Sequence, residues 1–342
     1  MQQLNYESLT TKVTNRDVAD LKAKFAEKKS QSVMQIAIIL LVLGSLSPVL
    51  ILLASVSSDG LNIVLGQVVF MAVIVLAVGV TIIQQQAKKW QQSVRLNRFA
   101  EANGLKFSPK IDNPVRDGMI FGIGRSRNSY NILTSMSSNP FEIANYCYTV
   151  GSGKNSRTYF FGYIMVQLDR NLPHMVLDSK ANNTNIFGLS ISDLPIEFNP
   201  DQKLSLEGDF DSHFTLYAPK EYEQDALYIF TPDLMQQFVD DSLSFDAEII
   251  DNKMYIYSNT QFDLTDQALL QRLFNVIDTV AAKVESKADR YIDERVGSAI
   301  KDVIAAPGRR LKIRKSWVAI IIMFLYIIYF LFSVLYPMLS IK

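Results

Sequence analysis

Three long apolar runs stand out in the pattern of hydrophobic and polar positions, and each predicts a transmembrane helix. They cover Met34–Val56, Leu61–Ile83 and Trp317–Leu339, and none contains Asp, Glu, Lys, Arg or His. About 20 residues at ~1.5 Å per residue suffice to cross the ~30 Å hydrocarbon core of a bilayer. Four residues, 57–60, separate the first two runs, so this pair predicts a tight membrane hairpin.

The sequence between the second and third runs is divided into short apolar stretches, which predict strands. Phe141–Val150 and Tyr159–Leu168 flank a polar hexapeptide and predict a long hairpin. The other predicted strands are Leu105–Ser108, Met119–Gly122, Met175–Asp178, Lys203–Leu206, Phe214–Tyr217 and Ala226–Phe230.

A short helix and a second hairpin are predicted further along. Thr231–Asp233 provides an N-cap hydroxyl, a proline at the first helical position and an acid in the first turn. Treating Asp251-Asn252 as a two-residue turn places Ile249 opposite Met254 on one sheet face.

Longer helices are predicted on both sides of this sheet. Lys88–Asn103 predicts a membrane-proximal helix with Gly104 as its C-cap. Thr265–Ile304 predicts a forty-residue helix that ends before Pro307-Gly308, and Asn15–Phe25 is expected to pack beside it. The apolar positions that repeat at the helical period are Leu269, Leu273, Val276, Val280, Val284, Ala288 and Tyr291.

These elements predict a chain of four parts. They are a cytoplasmic N-terminal amphipathic segment (1–33), a transmembrane helical hairpin (34–83), a cytoplasmic α+β domain with membrane-proximal helices (84–316) and a third transmembrane helix (317–339). The predicted fold class is therefore an α+β cytoplasmic domain, with an antiparallel sheet, a short helix and a long C-terminal helix, anchored by three transmembrane α-helices.

Charge is strongly segregated, although the whole chain has a net charge of zero. Residues 99–306 carry a net charge of −11, whereas residues 84–98 carry +4 and residues 307–316 carry +5. The positive-inside rule places these basic clusters in the cytoplasm and the 57–60 turn and the C-terminus outside. The predicted location is therefore an inner or plasma membrane crossed several times, with the basic clusters contacting anionic headgroups.

Composition excludes several classes of function. The single cysteine, Cys147, excludes a disulfide framework and a zinc site built on several thiolates. Two histidines leave few members for a nucleophilic triad. The acidic central domain argues against nucleic acid as a partner.

Five segments carry a resemblance to a known family, and they are Phe99–Gly104, Leu206–Phe210, Phe214–Pro219, Ala226–Leu234 and Asp251–Tyr257. They resemble a bacterial family of membrane-anchored proteins that carry a domain of unknown function, and in outline the resemblance covers residues 34–260. The resemblance implies an N-terminal transmembrane hairpin and a cytoplasmic domain. It implies no catalytic residue.

One acidic cluster is a candidate metal site. Glu207, Asp209, Asp211 and His213 alternate, so in an extended segment their side chains would share one face. Oxygen ligands with one imidazole are able to hold a divalent cation. The competing interpretation is a solvated strand face or an acidic turn, and no metal or other cofactor is assigned.

A glycine-rich segment, Gly151–Lys154, resembles the end of a phosphate-binding loop but lacks the rest of that pattern. Its flanks predict strand, turn and strand, so no helix N-terminus is available to a phosphate group. The segment is therefore predicted to be a hairpin tip.

The sequence favours an interaction or scaffold domain that is membrane-anchored, faces the cytoplasm and serves as an accessory component of a bacterial envelope complex. Its expected partners are the lipid bilayer and an unidentified membrane or cytoplasmic protein, and homo-oligomerisation is left open. One alternative is a metal-dependent hydrolase that uses the cluster from Glu207 to His213. Another is a lipid- or peptide-binding module, which would need a large apolar cavity.

Overall fold

The computed structural model describes most of the chain. The described residues are 4–25, 60–135, 140–186, 189–192, 194–206, 208–242, 245–296, 302–314, 323–331 and 333. They divide into two compact units. The first unit comprises residues 1–111, 130–135 and 263–270, and the second comprises 112–129, 136–262 and 271–342.

The described chain begins with helices, continues with strands and mixes the two in its C-terminal half. The helices are α1 (Glu7–Thr10), α2 (Asn15–Phe25), α3 (Gly60–Ala102), α4 (Phe210–His213), α5 (Glu223–Ile229), α6 (Pro232–Ser242), α7 (Gln267–Val276) and α8 (Ala282–Ala288). The strands are β1 (Lys106–Asp112), β2 (Arg125–Thr134), β3 (Phe141–Val150), β4 (Arg157–Ser179), β5 (Thr184–Ile186), β6 (Leu189–Ile191), β7 (Lys203–Leu204), β8 (Phe214–Tyr217) and β9 (Asp246–Ser258).

An antiparallel sheet of seven strands dominates the described fold. Its order is β1-β2-β3-β4-β8-β7, and β9 also pairs with β4, while β5 and β6 form a separate pair. The predicted hairpin is confirmed, because β3 and β4 pair without interruption from Phe141↔Val166 to Val150↔Arg157. Gly151 opens the turn at φ +77°, in the left-handed region that favours glycine.

β4 is 23 residues long and organises the second unit. Its first half pairs with β3 and β9, and its second half pairs with β9 and β8. Both of its faces are covered, so residues such as Tyr163, Ile164 and Val176 are fully buried. β4 therefore lies at the centre of the core, as expected for a strand with neighbours on both edges.

The predicted hairpin at Asp251-Asn252 is wrong, because β9 continues through these residues as one bent strand. β9 pairs with β4 on both sides of the bend, from Met254 opposite Val166 to Ile249 opposite Met175. The register shifts near Asp251, whose φ is +51°, as in a β-bulge. The alternation of apolar residues is the same for a hairpin and for a bent strand, so it did not distinguish the two.

Two predictions about the C-terminal half are also wrong. The segment 226–230, predicted as a strand, lies mainly in α5, where Ala226 and Ile229 are buried three residues apart. The predicted helix Thr265–Ile304 ends at Ala288, after α7, a π-helical segment at Ile277–Ala281 and α8. Beyond α8 the chain does not continue as a helix. The hydroxyl of Tyr291 donates to Asp225 there, and the carboxylate of Asp293 accepts from Tyr222. The predicted helix start at Pro232 is confirmed by α6.

In the first unit, α1 and α2 pack against the C-terminal part of α3. The rings of Tyr6 and Phe99 lie 5.5 Å apart, and Arg98 forms a 2.7 Å ion pair with Asp17. The helix predicted to end near Gly104 is confirmed, because α3 ends at Ala102 and Gly104 has a φ of +67°. α2 packs on α3, and its expected position beside the C-terminal helix stays a prediction.

In the described part of the chain, no helix has both the length and the apolar character needed to cross a membrane. This finding contradicts the predicted fold class with three transmembrane helices and the predicted multi-pass location in an inner or plasma membrane. Of the three predicted spans, Met34–Val56 lies wholly and Trp317–Leu339 largely outside the described residues. The run Leu61–Ile83 forms part of α3, which continues into a polar sequence up to Ala102. Counting apolar residues identifies a hydrophobic run but does not by itself establish a spanning helix.

Candidate interaction surface

A segment that we call the basic strap, residues 302–314, crosses the second unit after α8. It contains one turn of 3-10 helix at Ala306–Gly308 and otherwise neither helix nor regular strand. Its first residue is fixed to β4 by two hydrogen bonds. The backbone N–H of Asn171 donates to Asp302 Oδ1 at 2.6 Å, and Asn171 Nδ2 donates to the backbone carbonyl of Asp302 at 2.8 Å.

The second anchor of the basic strap is the buried carboxylate of Asp293. This carboxylate accepts hydrogen bonds from Tyr222 Oη at 2.6 Å and from the backbone N–H of Ala305 at 2.9 Å. Burial alone would raise the pKa of Asp293, but these bonds and those from Arg295 lower it. The side chain is therefore ionised at neutral pH and holds the strap close to Tyr222.

The turn of the strap lies directly against the ring of Tyr222. A Cβ atom added at Gly308 would overlap this ring, so glycine permits the close approach. The guanidinium of Arg295 lies 4.0 Å from the centre of the same ring, a cation–π contact. Burial and the hydrogen bond to Asp293 raise the pKa of Tyr222, which keeps its hydroxyl protonated as a donor.

A buried histidine forms the third anchor. The backbone N–H of Leu311 donates to His174 Nδ1 at 2.9 Å, so Nδ1 is unprotonated. His174 Nε2 then carries the ring proton and donates to Glu248 Oε1 at 2.8 Å. His174 is 6% exposed and Glu248 is 1% exposed. This arrangement fixes one neutral tautomer of the imidazole and joins the strap to the centre of the sheet.

The carboxylate of Glu248 is saturated by donors from the body of the second unit. Besides His174, it accepts hydrogen bonds from Tyr257 Oη at 2.6 Å and from the backbone N–H of Met119 at 2.7 Å. Burial and, to a smaller extent, the negative charge of Glu248 raise the pKa of Tyr257 well above its ordinary value. The hydroxyl of Tyr257 therefore remains a donor. Three donors on one carboxylate are the compensation that a buried charge requires.

The last residues of the strap pair with the segment before β7. The backbone N–H of Arg314 donates to the carbonyl of Glu197 at 2.8 Å, and the N–H of Asn199 donates to the carbonyl of Lys312 at 2.9 Å. Between these bonds, Phe198 and Ile313 face each other as an antiparallel bridge. The side chain of Gln202 adds two further hydrogen bonds to the backbone of Lys312.

The outer surface of the strap is basic. Arg309, Arg310, Lys312 and Arg314 are exposed, and Ile313 among them is 60% exposed. Arg310 forms a bidentate pair with Asp251 at 2.8 and 2.9 Å. Arg314 Nη1 lies 3.7 Å from Glu197 Oε2, and both of these side chains are largely exposed. Their side-chain interaction is therefore weak.

A cleft of about 550 Å³ lies beside the strap. Its lining residues are Asn171, Asp251, Asp302, Val303, Ile304, Arg309 and Arg310. Four of these seven side chains are charged, and Asp251, Asp302 and Arg310 already form hydrogen bonds with their neighbours. Most residues that line the cleft are therefore charged, and the cleft differs from the large apolar cavity expected of a lipid-binding module.

The pair formed by Asp251 and Arg310 gives a pH prediction. Hydrogen bonds from Arg310 hold the pKa of Asp251 below its ordinary value of 3.8. A lowered folded-state pKa contributes stability that is complete above 3.8 and is lost as the pH falls through the folded-state value. We expect wild type to be more stable than Asp251→Asn at neutral pH, with the difference shrinking below about pH 4.

Asparagine is the appropriate replacement, because it tolerates the left-handed backbone that Asp251 adopts. The measurement is the urea unfolding midpoint of both chains at pH values between about 7 and 3. A stability difference that is the same at every pH would show that the charge of Asp251 plays no part.

The predicted acidic cluster does not form the expected extended face. Phe210–His213 is the single helical turn α4, and Asp209 Oδ2 lies 3.8 Å from His213 Nε2 with its side chain 92% exposed. Asp211 instead accepts hydrogen bonds from Ser205 Oγ and the backbone N–H of Leu206. Glu207 lies outside the described residues. Within the described ranges, no group of three or more His, Cys, Asp or Glu side chains is placed to hold a metal ion.

Sequence reasoning missed the buried pair of His174 and Glu248. His174 follows Pro173, a residue type that is rare within sheets, but it lies in β4. The available signal was Glu248, an acid between Ala247 and Ile249 in a strand that is otherwise suited to burial. A buried acid in such a strand needs a buried hydrogen-bond donor. A histidine can be that donor, and the sequence contains two.

Comparisons with known proteins give one structural likeness. No family model matches the sequence, and no curated protein matches it. The crystal structure of the mycobacterial trehalose monomycolate transport factor A, TtfA, is similar, with a TM-score of 0.37 and 10% sequence identity. The similarity covers 56% of this chain and 94% of that chain. A likeness of this strength assigns neither a fold nor a function to the chain.

Proposed function

We propose that the chain is a non-enzymatic protein-interaction module that acts as a scaffold or accessory component of a larger complex, with the basic strap as its docking surface. The observation that carries this proposal is the exposed side chain of Ile313 among four basic side chains on a segment held by hydrogen bonds. An exposed apolar side chain ringed by charged ones offers a partner an apolar contact with a polar rim, which is the arrangement found in protein interfaces.

The anchoring of the strap suits this function. Asp302, Ala305, Leu311 and Lys312 each form hydrogen bonds with the body of the second unit. A docking segment that is already ordered loses less conformational entropy on binding than a free one. The hydrogen bonds of the strap therefore support its use as a preformed surface.

The buried acids support a binding function over catalysis. Glu142 is held by Arg116 and by the hydroxyl of Tyr163, and Glu248 and Asp293 are held as described above. A carboxylate that is buried and saturated in this way lacks the open position that a general acid or base needs to reach its substrate. The alternative of a metal-dependent hydrolase would instead require convergent ligands in a pocket.

Quantitative affinity purification of the full chain tests the proposal. We expect Ile313→Glu to reduce the capture of at least one protein tenfold or more, because it places an acid at the centre of the docking surface. Val115→Glu is the matched control, since Val115 is an exposed apolar residue (88%) that is not part of the strap. The captured protein is then purified and its binding to both variants is measured directly.

The unfolding midpoints of both variants should match that of wild type, because neither side chain is buried. An identical set of captured proteins for wild type, Ile313→Glu and Val115→Glu would overturn the proposal. So would a purified partner that binds all three chains equally.

A further inference from the structure

We infer that the basic strap receives an extended acidic segment of a partner protein as an added β-strand beside Ile313. This inference rests on the proposed function and names the class of partner. Strand addition supplies affinity through main-chain hydrogen bonds and specificity through alternate side chains.

The backbone geometry at Ile313 carries the first step. In an antiparallel ladder, the N–H and C=O groups of a non-hydrogen-bonded pair point away from each other's strand. Phe198 and Ile313 form such a pair, because the hydrogen bonds join Arg314 to Glu197 and Asn199 to Lys312. The N–H and C=O of Ile313 therefore face the opposite edge of the strap.

Among the described residues, this edge of the strap has no hydrogen-bond partner at Ile313 but has one at Leu311. Two residues earlier, the N–H of Leu311 on the same edge donates to His174. The backbone N–H and C=O of Ile313 have no hydrogen-bond partner among the described residues. One residue of an incoming strand would satisfy both groups, since a hydrogen-bonded pair exchanges two bonds.

Charge selects the sequence of the incoming strand. Successive side chains of an extended segment point to opposite faces, so Lys312 and Arg314 share one face and Ile313 lies on the other. The partner residue opposite Ile313 would be apolar, and its two neighbours would be acidic. Glu197 does not prevent an acidic side chain of the partner from pairing with Arg314. The pair of Glu197 and Arg314 is weak, because both side chains are exposed and their charged atoms lie 3.7 Å apart.

The fitting partner is therefore a segment with the pattern acidic, apolar, acidic in extended form. A β-branched residue suits the central position, because such residues favour strands. Anionic lipid headgroups would be attracted by the same basic side chains, but they cannot exchange main-chain hydrogen bonds with Ile313. The backbone edge is the feature that favours a peptide.

A fluorescently labelled peptide of alternating Glu and Val, capped at both ends, is the probe for the full-length chain. We expect saturable binding that weakens as salt is added. A peptide with every Val N-methylated keeps the charges and the side chains, but the Val placed opposite Ile313 cannot donate a backbone hydrogen bond. Its affinity should be at least tenfold lower.

Substitution of Ile313 provides the matching test on the protein. Ile313→Pro removes the outward N–H group, which makes no hydrogen bond within the described fold, and should weaken peptide binding at least tenfold. Ile313→Val is the matched comparison, because it keeps the N–H and an apolar β-branched side chain, so it should lose much less affinity than Ile313→Pro. The N-methylated peptide on wild-type protein keeps the test decisive if Ile313→Pro unfolds.

Several results would overturn the inference. One is equal binding of the plain and N-methylated peptides, which would indicate attraction by charge alone. Another is binding of the chain to vesicles of phosphatidylcholine and phosphatidylglycerol without any binding of the peptide, which would indicate a lipid surface. Self-association of the chain that is lost in Ile313→Glu would identify a second copy as the occupant. A captured protein that depends on Ile313, together with no binding of any peptide, would reject strand addition and leave the proposed function intact.

Discussion

Glu248→Ala is expected to lower the free energy of unfolding by at least about 3 kcal/mol, because it leaves three buried donors without an acceptor. These donors are Tyr257 Oη, the backbone N–H of Met119 and His174 Nε2. Each unsatisfied buried donor costs about 1–3 kcal/mol. A typical domain has about 5–15 kcal/mol of stability in total, so this loss would be a large part of it.

The measurement is urea unfolding of wild type and Glu248→Ala, with Glu197→Ala as the matched control. Glu197 is also a glutamate, but its side chain is 79% exposed, so its removal should change stability by less than about 1 kcal/mol. Faster hydrogen exchange of the Leu311 amide in Glu248→Ala would report that the anchor at His174 has loosened. Equal stability of the two variants would show that the buried carboxylate is dispensable.

Gly162→Ala is expected to destabilise the protein by about 3 kcal/mol, in the upper part of the range for an overfilled core. A Cβ atom at Gly162 would lie 2.5 Å from the ring of Phe262. The backbone of Phe262 is held in place, because its N–H and C=O bond the side-chain amide of Asn145 at 2.6 and 2.9 Å. The ring therefore has little freedom to withdraw.

Gly122→Ala is the control for this substitution. Nothing lies within 4 Å of a Cβ at Gly122. The free energy of unfolding of Gly122→Ala should therefore differ from that of wild type by less than about 1 kcal/mol. Adding Phe262→Leu to Gly162→Ala should recover part of the loss, since the smaller side chain relieves the overlap and the two effects are coupled. A Gly162→Ala chain as stable as Gly122→Ala would contradict this account of the packing.

Local sequence signals predicted the local elements well. The β3–β4 hairpin was predicted because a turn joins two alternating segments a few residues apart, and its pairing depends on no distant residue. The start of α6 was predicted from Pro232 and its flanking polar groups for the same reason.

Elements that depend on distant contacts were predicted less well. The pairing of β9 with β4 joins residues about 80 positions apart, and only that contact distinguishes the bend at Asp251 from a turn.

The proposed docking surface was beyond prediction for a related physical reason. The basic residues from Arg309 to Arg314 were visible in the sequence, but a basic cluster next to an apolar run indicated headgroup contact. Its extended path depends on the side chains of His174 and Gln202, which are 137 and 110 positions from the residues that they bind, and on that of Asp293, which is 12 positions before Ala305. A one-dimensional charge pattern contains no information about these acceptors.

The anchoring of the basic strap has a consequence for the order of folding. Its hydrogen bonds with Asn171, His174 and Gln202 join residues 131, 137 and 110 positions apart along the chain. Contacts between such distant residues require the loop between them to be closed first, and they form late when the loop is long. We therefore expect the strap to assemble after β4 and β9 have paired. A partner that recognises the assembled strap would then bind finished molecules and leave incompletely folded chains free.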